Sequence, residues 1–147
     1  MNKTISELEL LLSDGLNYIA NAPEIEFSKK LSSKKWSKKE ILGHLIDSAI
    51  NNLQRFTEIQ FETEPYIIKQ YSQDELVKAN HYQSADTKEL LDLWIALNNR
   101  ILFVIKNQNE ETLNYKVHTN NTTIVDLKFL IKDYVDHLSY HLNQIMN

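Results

Sequence analysis

The amino-acid sequence predicts an all-α protein, a four-helix bundle with a long crossover between its second and third helices. Two observations carry that expectation. Apolar residues recur at helical spacing in four separate long stretches. The 147 residues include only two glycines and two prolines, too little turn chemistry for a many-stranded β fold. A composition of 42% hydrophobic and 24% charged residues is that of an ordinary globular chain, and the length fits one domain over residues 1–147.

The first helix spans residues 2–20, with Ile5, Leu8, Leu12, Leu16 and Ile19 on one face, and Pro23 prevents its continuation. Residues 21–36 read as a polar, lysine-rich connection. The second helix has the best-defined start. Ser37 followed by Glu40 forms a capping box, in which side chains and backbone satisfy two orphan donors reciprocally, and Trp36 is placed to staple onto Ile41. Its stripe of Ile41, Leu42, Leu45, Ala49, Leu53 and Phe56 runs to about residue 60. Pro65 interrupts the connection over 61–85, where Ser72 and Glu75 repeat the capping-box pattern ahead of a short helix near 73–79.

A third long helix, Thr87–Lys106, shows Leu90, Trp94, Leu97, Ile101 and Val104 or Ile105 on one face. Segment 107–121 is rich in Asn, Gln and Thr and reads as a loop. The fourth helix starts near Thr122 or Thr123, and Leu127, Leu130, Ile131, Tyr134, Leu138, Leu142 and Ile145 form its buried stripe. The long connection between the second and third helices allows those two to run parallel.

The absence of cysteine excludes a disulfide framework, a thiolate metal site and a cysteine nucleophile. The N-terminal residues lack a basic stretch followed by an apolar run, and no segment approaches the roughly 18 apolar residues of a membrane span. The expectation is a cytoplasmic protein with no membrane partner. A net charge of −4 argues against nucleic acid as a partner. The basic cluster of Lys29, Lys30, Lys34, Lys35, Lys38 and Lys39 reads as a solvated loop.

Histidines stand at positions 44, 81, 118, 137 and 141. His137 and His141, four apart on a helix, project from one side and can grip a single ion. They flank the stripe of Tyr134, Leu138 and Ile145, so their edges face the bundle interior. His44, next to Leu45, borders the core face of the second helix. Together the three would form an open three-histidine site, with remaining positions for water or substrate. Neutral imidazoles suit zinc, nickel, copper or iron(II). The same three residues also read as core or boundary imidazoles bonded to backbone or carboxylates. His81 and His118 lie in polar loops.

The run Trp36-Ser37-Lys38-Lys39-Glu40-Ile41-Leu42-Gly43-His44-Leu45-Ile46-Asp47-Ser48, followed by Asn52 and Arg55-Phe56, resembles the second-helix signature of the DinB-like superfamily. The nearest resemblance is to its YfiT and bacillithiol-transferase branch. Asp133 through Ile145 resembles that family's HxxxH helix, and Tyr71 through Tyr82 its middle connection, so the likeness covers nearly the whole chain. It implies a four-helix bundle with a divalent transition metal, zinc or nickel foremost, on His44, His137 and His141. It also implies metal-dependent transfer of a low-molecular-weight thiol, thiol-dependent isomerisation, or hydrolysis of a small molecule. The chain departs from the pattern at Leu76-Val77, where related transferases carry a tryptophan.

In an enzyme of this kind the ion would lower the pKa of a bound water or thiol. Asp47, three residues after His44, and Asp133, four before His137, are placed to orient an imidazole through its non-ligating nitrogen. Arg55, eleven residues after His44, falls close to three turns along the same side, where it can fork an anionic substrate group. Tyr140 and Asn52 are further candidates for substrate contact. Three functions follow as alternatives: a metal-dependent thiol transferase or hydrolase, a metal-holding bundle serving stress or metal sensing, and a helical interaction protein with core histidines. A homodimer is the expected assembly.

Overall fold

In chain order the elements are α1 (Asn2–Asn21), α2 (Glu24–Phe27), α3 (Lys38–Glu58), β1 (Tyr66–Ile67), α4 (Gln73–Ala79), a single 3-10 turn (Tyr82–Ser84), α5 (Thr87–Lys106), α6 (Glu110–Leu113), β2 (Lys116–His118), β3 (Ile124–Asp126) and α7 (Leu127–Met146). They come from a computed structural model that describes residues 1–120 and 122–147. The four long helices α1, α3, α5 and α7 are those of the expected bundle. α1 and α3 each pack against both α5 and α7, so these two successive long helices stand at opposite corners. No described helix is long and apolar enough to cross a membrane.

One apolar core joins the four. Leu8, Leu12 and Ile19 of α1 meet Leu42, Leu45, Ile46 and Phe56 of α3, Trp94 and Ile101 of α5, and Ile131, Leu138 and Leu142 of α7. Each such side chain contributes about 1.5–3 kcal/mol when removed from water. Helix α3 is buried on every side from Leu42 to Ala49, because α4 and the 3-10 turn cover the flank left open by α5 and α7. A residue on this stretch is therefore inside the protein whichever way it points. That is the environment of His44.

The glycines are spacers rather than turn residues. A Cβ at Gly43 would lie 2.1 Å from Cδ2 of Tyr82, and one at Gly15 would lie 2.8 Å from Cη2 of Trp94. Gly15 also takes the inward place on α1, whereas Leu16, expected in the stripe, is 39% exposed.

The structure corrects the expected connections. Strands β1, β2 and β3 form a small sheet in that order, β1 parallel and β3 antiparallel to β2. With two or three residues each, they are too short to display an alternating pattern. The sheet ties the 61–85 connection to the segment before α7. It also delays the start of α7 to Leu127, where Asp126, rather than Thr122 or Thr123, caps the helix by accepting from the Phe129 amide at 2.8 Å. The expected loop 107–121 carries α6 and β2, and its last residue, Asn121, lies outside the described residues. Helix α4 occupies the expected span, but the Ser72 side chain makes no capping bond. The lysine-rich segment is not simply solvated: Lys30 pairs with Glu40 at 2.7 Å, and Lys39 is buried and paired with Glu24 of α2.

Candidate metal centre

Helices α3 and α7 carry the three histidines to one place. The start of α3 is fixed by its capping box, in which Ser37 Oγ accepts from the Glu40 amide at 3.1 Å and the Glu40 carboxylate accepts from the Ser37 amide at 2.9 Å. His44 follows about two turns later. The rotation of α7 is set by Tyr134, Leu138 and Leu142 in the core, which leaves His137 and His141 partly covered beside α3.

Nε2 of His44 lies 3.0 Å from Nε2 of His137, and one ring nitrogen from each of the three histidines falls within 4.8 Å of the others. The rings meet edge to face, with centroids 4.5 to 5.0 Å apart. Two nitrogens held at 2.0–2.1 Å by one tetrahedral ion stand about 3.3 Å apart, so the 3.0 Å pair is close enough to share an ion, as it is to share a proton in an N–H···N hydrogen bond.

Protonation agrees with the geometry. Burial, reinforced by repulsion from His137 and His141, pushes His44 down to about 4. Burial and then His141 push His137 down to about 4. Burial also lowers His141, opposed by the hydrogen bond it donates to Gln144. At neutral pH all three rings are uncharged and carry lone pairs. Three neutral nitrogens with no thiolate and no carboxylate among them suit a borderline divalent transition ion.

The groups around the rings differ from those expected. Nδ1 of His141 donates to Oε1 of Gln144 at 2.8 Å, because an amide oxygen can only accept, and this leaves the Nε2 lone pair of His141 free. Gln144 Nε2 in turn donates to the Tyr140 hydroxyl at 3.2 Å. Trp36 lies over His44 with ring centroids 5.1 Å apart, a cover rather than a staple at the helix entry alone.

Neither acid hydrogen-bonds an imidazole. Oδ1 of Asp47 instead accepts from the Tyr82 hydroxyl at 2.6 Å and from Asn80 Nδ2 at 3.0 Å, which holds the carboxylate toward the 3-10 turn. Burial raises the Asp47 pKa, opposed by these two donors. Nδ1 of His44 and Oδ2 of Asp47 are both buried without a hydrogen-bond partner among the described residues. Asp133 is exposed and makes no side-chain hydrogen bond among the described residues; it lines a cavity beside His137.

That cavity, of about 260 Å³, is bounded by Asn52, Arg55, Tyr71, Asp133, Tyr134 and His137 among others. Arg55 thus shares a cavity with His137, though not with His44 or His141. Asn52 is buried, donating to the Ser48 carbonyl at 2.9 Å. A wider groove on the His141 side runs past Trp36, Lys34, Lys35 and Tyr140. His81 and His118 take no part in the cluster.

Sequence reasoning missed two features of this site. Gln144 was legible, since it follows His141 by three residues and so shares its face. Tyr82 was not, because it reaches Asp47 from a non-periodic connection.

The family model of the DinB superfamily matches residues 7–145. Among solved structures, YfiT from Bacillus subtilis, described as "a probable metal-dependent hydrolase with an unusual four-helix bundle topology", superposes with a TM-score of 0.86 at 21% identity, covering 98% of this chain and 82% of that one. The mycothiol-dependent maleylpyruvate isomerase superposes with a TM-score of 0.75 at 15% identity, over 98% of this chain and 60% of the isomerase. A protein from Clostridium difficile 630 gives 0.74 at 16% identity, over 98% of this chain and 92% of that one. A search of the curated proteins finds no match. These identities speak for the fold alone.

Proposed function

The chain belongs to the DinB superfamily, and from that premise we propose that it is a metal-dependent enzyme acting on a small molecule, by thiol transfer or by hydrolysis, with zinc or nickel held by His44, His137 and His141. The observation that carries this reading is the convergence of three uncharged imidazoles, with two Nε2 atoms 3.0 Å apart, beside a cavity. A divalent ion supplies Lewis acidity there, lowering the pKa of a thiol or water that binds it.

The chain's own groups do the rest. Gln144 holds the His141 proton on Nδ1, so Nε2 faces the site in its ligating form. Trp36 covers one face of His44 and limits access of bulk water on that side. Polar Asn52 and Arg55 and the ring of Tyr71 line the route to His137, where a small substrate would be oriented. Asp133, which lines the same cavity as His137, is the carboxylate placed to take a proton from a thiol or water bound there.

Metal analysis of the purified protein beside a His137→Ala/His141→Ala variant tests the site. Near-stoichiometric metal in the wild type, lost in the variant, is the expected result. Conjugation of a small thiol to a generic electrophile then tests the reaction, and absence of turnover with every metal offered would leave a metal-holding bundle without catalysis.

A further inference from the structure

Arg55 has no acid within ion-pairing distance among the described residues. Lys30, Lys39, Lys88, Lys106 and Lys132 each have one. Yet Arg55 is half-buried and held in place. Its Nη2 donates to the Lys69 carbonyl at 2.8 Å, its Nη1 makes a long contact with Asn52 Oδ1 at 3.5 Å, and its guanidinium lies over the Tyr71 ring at 5.4 Å. Asn52 is in turn fixed by the Ser48 carbonyl. Two neutral oxygens and an aromatic face orient the fork, and Asp133 acts on it through space without forming a salt bridge. Three of its five N–H donors remain unused. The same cavity reaches His137, so an anion on this fork would belong to a molecule whose other end lies at the histidines.

We propose that Arg55 anchors a carboxylate of the small molecule that reacts at the three histidines; this rests on the function proposed above. The class is a small monocarboxylate. At about 260 Å³ the cavity is below the roughly 300–1,000 Å³ typical of drug-sized ligands. Asp133 faces the same space, unpaired with Arg55, and disfavours a doubly charged phosphate more than a singly charged planar group. A bidentate guanidinium–carboxylate pair also matches the fork in shape.

The test uses the zinc-loaded and the metal-free protein, with Arg55→Gln and Arg55→Lys variants, and reads binding by calorimetry and by the Arg55 side-chain signals in NMR. Wild-type protein should bind 3-mercaptopropionate roughly tenfold or more tightly than 2-mercaptoethanol, the scale of one charge-assisted pair. The preference should vanish in Arg55→Gln and fall in part in Arg55→Lys, while all three proteins keep the same zinc content. That pattern assigns the carboxylate to the thiol. An Arg55-dependent response to propionate, with no preference between the thiols, assigns it to the acceptor instead and equally supports the anchor. A thiol preference unchanged in Arg55→Gln, or phosphate binding as tightly as propionate, overturns it. If zinc does not bind at all, the function proposed above fails, but propionate still decides the anchor in the metal-free protein: shifted Arg55 signals support it and unmoved signals overturn it.

Discussion

A histidine offered to a metal has two nitrogens, and the neighbour of one decides what the other can do. At His141 that neighbour is the Gln144 amide oxygen, a neutral acceptor that keeps the proton on Nδ1. Gln144→Ala should weaken metal affinity by roughly tenfold or more. Because Gln144 is exposed, the stability of the metal-free protein should change by no more than about 0.5 kcal/mol. Gln144→Glu, which retains the acceptor, should keep the affinity. Competition with a chromophoric chelator measures all three, and equal affinity for wild type and Gln144→Ala would remove Gln144 from the site. At this scale the three-histidine cluster was legible, because His137 and His141 share a helix face by spacing and His44 sits in a recognisable run after its capping box. The roles of Asp47 and Trp36 were not. Asp47 is turned toward Tyr82 and Asn80, and Trp36 onto His44, by tertiary contacts that no local spacing encodes.

The elements that hold the centre depend on close approaches and clamps outside the long helices. Gly43, next to His44, lets the 3-10 turn press onto α3, so that Tyr82 reaches Asp47. Gly43→Ala must displace the Tyr82 ring at its root, and overpacking of this kind costs about 1–3 kcal/mol. A lowered urea midpoint is the expected result for Gly43→Ala, only partly relieved by adding Tyr82→Ala, whose Cβ would still lie 2.8 Å from the new methyl; an unchanged midpoint would mean that the turn does not press on α3. A second clamp is Glu24 on α2, which accepts from Lys39, Ser28 and Thr87 and so ties α2 to α3 and α5. Chiefly the Lys39 bond, then those from Ser28 and Thr87, hold the Glu24 pKa down to about 2, from 4.5. A carboxylate depressed in the folded state stabilises above its unfolded pKa, and that contribution is lost as pH falls through its folded one. Wild type should therefore exceed Glu24→Gln in stability above about pH 4.5, and the gap should close between there and about pH 2. Denaturation of both proteins across that range checks it, and a gap independent of pH would mean the clamp is not ionic. None of these clamps was readable in advance. The four long helices announce themselves by a repeated 3.6-residue period, whereas α2, the sheet strands and the 3-10 turn are too short to repeat one.

Across the whole molecule, the three histidines join parts of the chain that are distant in sequence: His44 and His137 are 93 residues apart. In the unfolded chain nothing holds them together, so an ion bound by all three binds the native state and adds its binding energy to folding. The apolar core of α1, α3, α5 and α7 is continuous without the histidines, so the chain is expected to fold without the ion. Metal should therefore raise the melting temperature of an already folded protein rather than switch folding on. With zinc at about 100 times its dissociation constant the gain is about 2.7 kcal/mol, which for a chain of this length corresponds to roughly 5–10 °C. A chelator should reverse the shift, and His137→Ala should abolish it while leaving a cooperative transition. Because α3 and α7 are the two helices bridged, hydrogen exchange should slow on zinc addition around residues 42–49 and 134–142 more than in α1. Protection that rises evenly over all four helices, or a melting temperature indifferent to metal, would mean that no ion ties α3 to α7.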